Sequence, residues 1–148
     1  MSAAAALSPS APLVQEGNQF WQQLTEECRR QVEDINAVVS EKGLSPDQCV
    51  HCTGGRELRM FKAGTPSTLV KVLLGFYSWG PMLSVAITGQ QTHDSEFFPE
   101  ECEMPIAVDA DGSIIAIFDE GRSFSPREMA AYLTQAFRRC FPGVCLCR

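Results

Sequence analysis

The chain has 148 residues, 45% of them hydrophobic and 20% charged, which is enough apolar material for one folded domain and excludes global disorder. Its 12 Lys and Arg against 18 Asp and Glu leave a net charge of −6. That balance argues against a sequence-independent nucleic-acid binder, which needs a basic stripe to displace counterions. No apolar run is long enough for a transmembrane helix, so neither nucleic acid nor membrane is expected as a partner.

Residues 1–16, MSAAAALSPSAPLVQE, bury too little to offset chain entropy and read as a flexible tail ahead of a single domain at 17–148. They lack the basic start and unbroken apolar core of an export signal, so a cytoplasmic setting with reduced thiols is expected. A helix is predicted from about Asn18 to Ser40. Phe20, Leu24, Cys28, Ile35 and Val39 recur on one face, and Gln22, Glu26, Arg29, Arg30, Glu33 and Asp34 lie opposite. Asn18 suits its N-cap, and Gly43 a left-handed stop. Ser45-Pro46-Asp47-Gln48 then reads as a turn or a single helical turn.

From there to about residue 120 the period is two. Residues 50–53 and 57–62 flank Gly54-Gly55, residues 68–78 and 82–88 flank Trp79-Gly80-Pro81, and residues 104–110 and 113–119 flank Asp111-Gly112. The last helix opens on Ser125-Pro126-Arg127-Glu128, with a hydroxyl at the N-cap, proline at N1 and glutamate at N3. Met129, Leu133, Ala136, Phe137 and Cys140 follow on one face.

One helix, five or six antiparallel strands and one helix make an α+β fold, predicted as a two-layer sandwich with an N-terminal and a C-terminal helix flanking the sheet. In element order and acidic character the chain resembles the small dimeric type III secretion chaperones, and profilin-like domains share much of that order. The resemblance is one of fold, from which function does not follow, and a dimeric chaperone-like module is one form of the binding module considered below.

Seven cysteines, an odd number, do not complete a disulfide framework. Cys49 and Cys52 enclose His51, and Cys145 and Cys147 lie near the end of the chain. Two thiolate pairs can complete a tetrahedral zinc site, so these five residues are the metal candidates, with zinc as the alternative to no cofactor. The pairs are far apart in sequence and the second has a one-residue spacer, so incidental thiols are favoured. His93 beside Cys102 or Cys52 is the candidate nucleophile pair, without a nucleophile elbow around it. Nine acids from Asp94 to Glu120, with no Lys or Arg among them, are read mainly as solvated or balanced within the fold, secondarily as a contact for a basic partner, and last as a carboxylate metal or catalytic cluster with His93.

Hairpin arithmetic is sharper. A two-residue turn at Asp111-Gly112 pairs Ala110 with Ser113, Val108 with Ile115, and Ile106 with Ile117, all on one face. The other face then carries Ala107, Ile114, Ala116 and Phe118. Residues 68–78 are likewise apolar on both faces, with Leu69, Leu73 and Tyr77 opposite Val70, Val72, Leu74 and Phe76. A sheet apolar on both faces needs cover on both. Either the helices divide between the faces, the sheet curls, or one face meets a small-molecule ligand or, through Ile114, Ala116, Phe118, Leu69, Leu73 and Tyr77, a partner chain. The reading is a soluble binding or interaction module, a homodimer or one with a protein partner, and the alternative is a small thiol- or metal-dependent enzyme.

Overall fold

The computed structural model describes residues 11–64, 67–89, 101–119 and 121–138. Helix α1 spans Ala11–Glu41, seven residues earlier than the expected start at Asn18. Residues 11–16 thus belong to the helix, while residues 1–10 lie outside the described residues. Pro12 misleads at sequence level because it falls in the first turn, where a missing N–H costs nothing. Phe20, Leu24, Cys28, Val32, Ile35 and Val39 form the buried stripe. Gly43, at φ +65°, ends the helix as predicted. Its N–H bonds to the Ser40 carbonyl at 3.1 Å and the Leu44 N–H to that of Val39 at 3.0 Å, which is a Schellman cap.

A 3-10 turn, Pro46–Gln48, leads into seven strands: β1 (Val50–Thr53), β2 (Glu57–Lys62), β3 (Thr68–Tyr77), β4 (Gly80–Gly89), β5 (Glu101–Val108), β6 (Ile114–Asp119) and β7 (Arg122–Phe124). Helix α2, Pro126–Arg138, closes the described chain. The sheet is an antiparallel meander in the order β1 to β7, so the count is seven and not five or six. The added strand, Arg-Ser-Phe after Gly121, is too short to display an alternation. The β3–β4 hairpin turns through Ser78 and Trp79, because Tyr77 pairs with Gly80.

The β5–β6 hairpin departs most from expectation. Val108 pairs with Ile114, Ala107 with Ile115 and Ile106 with Ala116, one residue away from the predicted register. The cause is local. The Gly112 N–H bonds to the Asp109 carbonyl at 3.1 Å and the Asp109 N–H to the Ser113 carbonyl at 2.9 Å, so the loop has three residues rather than two. Gly112 takes φ +91°, the bulge position of such loops. The Asp109 carboxylate accepts from the N–H groups of Asp111 at 3.1 Å and Ser113 at 3.0 Å. A slip of one residue exchanges the two faces of β6. Ile114, Ala116 and Phe118 therefore turn to the helix side, and Ile115 and Ile117 to the other.

Both helices lie on one face. On that side Val70, Val72, Leu83, Val85, Met104, Ile106 and Ala116 join the α1 stripe and Met129, Ala130, Leu133 and Phe137 of α2 in one buried core. The helices also meet directly, where the Thr134 hydroxyl donates to Gln31 Oε1 at 2.8 Å. Among the described residues, no helix is long and apolar enough to cross a membrane.

Candidate binding face

Alternation along each strand decides which side chains leave the core. Opposite Val70, Val72 and Leu74, β3 presents Leu69, Lys71, Leu73, Gly75 and Tyr77 to the face that neither helix covers. The register continues these positions across the sheet as rows. Phe61 pairs with Leu69 and Leu69 with Thr88. Arg59, Lys71, Ala86 and Glu101 form the next row, and Glu57, Leu73, Ser84 and Glu103 the one after it. Gly75, Met82 and Pro105 follow, and Ala107 with Ile115 extends the apolar area onto β6.

Large side chains stand open here. Leu73 is 45% exposed, Ile117 37% and Trp79 63%. Tyr77 and Trp79 stack with ring centres 4.8 Å apart and planes 8° apart, and the Tyr77 ring lies over Gly75. Beside them an open groove of about 610 Å³ runs over β4, lined by Lys71, Leu73, Ser84, Ala86, Glu101 and Glu103. A second groove, of about 560 Å³, is lined by Arg59, Phe61, Leu69 and Thr88 among others.

The sequence-predicted partner residues thus divide. Leu69, Leu73 and Tyr77 are on the uncovered face. Ile114, Ala116 and Phe118 are on the helix side, where Ala116 is fully buried. Phe118 packs 5.8 Å from Phe124 and 5.6 Å from Tyr132 in ring centres, with the Arg122 guanidinium 4.9 Å over its ring. Ile115, Ile117 and Trp79 were missed. The signal that would have found the first two is Asp109, a residue that favours longer turns by bonding its own downstream amides.

The thiol and imidazole candidates are arranged less favourably for chemistry. His51 and Cys52 are adjacent on β1 and so point to opposite faces, with His51 stacked on Phe61 at 5.0 Å and Cys52 toward the core. Burial pushes the Cys52 thiol up, partly offset by the Arg29 guanidinium. Cys102 is raised by burial alone, and Cys28 is raised strongly by burial, then by Cys52 and Glu27. A raised thiol pKa lowers the thiolate fraction and with it both nucleophilicity and metal affinity. Cys145, Cys147 and His93 lie outside the described residues. Among the described residues, no three of His, Cys, Asp and Glu come together as metal ligands.

No family model, curated protein or solved structure matches this chain.

Proposed function

We propose that the chain is a protein-binding module that works through the uncovered face of its sheet. The observation that carries this reading is the one-sided placement of the helices: the face opposite them holds Leu69, Leu73, Tyr77, Trp79, Ala107, Ile115 and Ile117 without cover from any described element. Contiguous exposed apolar area framed by charge is characteristic of association surfaces. Exposed stacked aromatics such as Tyr77 and Trp79 belong to the residue types that dominate binding energy.

The test is a photo-cross-linking amino acid placed at Leu73, compared with one at Glu33 on the exposed side of α1, in cells that express the whole chain. The expected result is a protein adduct at Leu73 that is absent at Glu33, whether to a second copy or to another protein. Equal labelling at the two positions, or none at Leu73, overturns the reading.

A further inference from the structure

We infer that the occupant of this face is a second copy of the chain, packed sheet to sheet about a two-fold axis that runs along the strands between β3 and β4. The inference rests on the binding-module reading and gives it a partner.

Its basis is the charge order of one row. Arg59 on β2, Lys71 on β3, Ala86 on β4 and Glu101 on β5 stand side by side across the sheet. The row is basic at one end, acidic at the other and small next to its middle, over a span of about 14 Å. An axis parallel to the strands reverses the order of the strands and keeps each row at its level. Arg59 then stands over Glu101 of the second copy, and Lys71 over Ala86 with the same Glu101 beside it. Both contacts occur twice. The alternative in-plane axis, across the strands, keeps the strand order, so that β5 would lie over β5 and bring the Glu101 and Glu103 carboxylates of the two copies together. Among the described residues the ion pairs are Arg30–Glu27 and Arg59–Glu57, so Lys71 and Glu101 are not engaged by one another within the chain. The adjoining row has acid at both ends, and reversal brings Glu57 toward Glu103. Arg59, 3.3 Å from Glu57, sits beside that contact and, shared with Glu101, offsets it in part.

Shape agrees with charge. The same operation lowers the exposed Leu73 ridge of each copy into the groove over Ser84 and Ala86 of the other. Aligned sheets of this kind cross at a shallow angle, roughly 30°, which an axis between β3 and β4 accommodates symmetrically. The axis also passes through the β3–β4 turn. The two Tyr77–Trp79 stacks therefore meet at one end, and Trp79 goes from 63% exposed to covered.

Sedimentation velocity on the full chain across a dilution series, with tryptophan emission read in parallel, tests this. The expected result is a dimer whose emission shifts to the blue as it forms. Arg59→Glu and Glu101→Lys, which reverse the two members of the facing pair, should each weaken it about tenfold or more. Combining the two in one chain, or mixing the two single variants, should restore it. Far-UV circular dichroism verifies that every variant is folded. A dimer indifferent to both reversals, or one that the double variant fails to restore, overturns the inference. A monomeric wild type overturns it too. If Leu73 then still cross-links to a different protein, the binding-module reading survives without it, whereas no adduct removes both.

Discussion

The Asn36 side chain, reaching from α1 to the first strand, donates its amide to the Val50 carbonyl at 2.9 Å and accepts the Val50 N–H at 2.7 Å. It supplies the hydrogen bonds that a neighbouring strand would give, at the edge of the sheet where they are otherwise missing. Trp21 anchors the next turn by donating its indole N–H to the Gly55 carbonyl at 3.0 Å. Asn36→Ala leaves both Val50 groups half-buried and unpaired, and is expected to cost about 1–3 kcal/mol. Urea unfolding should show a lower midpoint with an unchanged slope, and Asn36→Asp, which keeps the acceptor and loses the donor, should fall in between. Lys62 follows the same logic on the core side, where it is 1% exposed and its Nζ donates to Gln48 Oε1 at 2.7 Å. Alternation places Lys62 inward, and the 3-10 turn before β1 supplies Gln48 to meet it.

Within single elements, the start of α2 and the β5–β6 hairpin show how few local bonds set a larger outcome. At the helix start the Ser125 N–H donates to Glu128 Oε1 at 3.0 Å and the Glu128 N–H to Ser125 Oγ at 3.2 Å, the capping box expected from the sequence. The Ser125 backbone N–H, and next its side chain, hold the Glu128 carboxyl below the usual range. A carboxyl lowered on folding contributes stability above its unfolded pKa, about 4.3, and that contribution fades as pH falls through the folded value. The stability gap between wild type and Glu128→Ala should therefore be full at neutral pH and close progressively below about pH 4, as read by thermal melts at fixed ionic strength. In the hairpin, the three-residue loop sends neighbouring side chains to opposite sides. Phe118→Asp puts a carboxylate among Phe124 and Tyr132 and is expected to destabilise the fold by about 3 kcal/mol or more. Ile117→Asp, on the open face, should leave the monomer folded. Equal loss of the circular dichroism transition in both variants would contradict this assignment.

For the molecule as a whole, the consequential arrangement is that a seven-stranded sheet, apolar on both sides, has both helices on one of them. Helices α1 and α2 reach opposite ends of the strand order yet pack against each other, because the stripe of α2 is completed by α1 as much as by the sheet. Covering both faces would have separated the helices and left each with one flank of its stripe in water. Their union leaves the face of Leu73 and Ile117 open.

The amphipathic spacing of α1 and α2, the Gly43 stop, the Ser125–Glu128 cap and three hairpins were legible in the sequence, since each depends on residues a few positions apart. So was the doubled apolar character of β3, which put Leu69, Leu73 and Tyr77 together on one face. Two matters were not legible. The β6 register turned on whether the Asp109 carboxylate would bond its downstream amides and lengthen the loop by one residue, a difference that reverses every side chain after it. The choice of face was made by the contact between the two helices, elements separated by the whole sheet in sequence. Periodicity states that a stripe must be covered, and only packing in three dimensions decides what covers it.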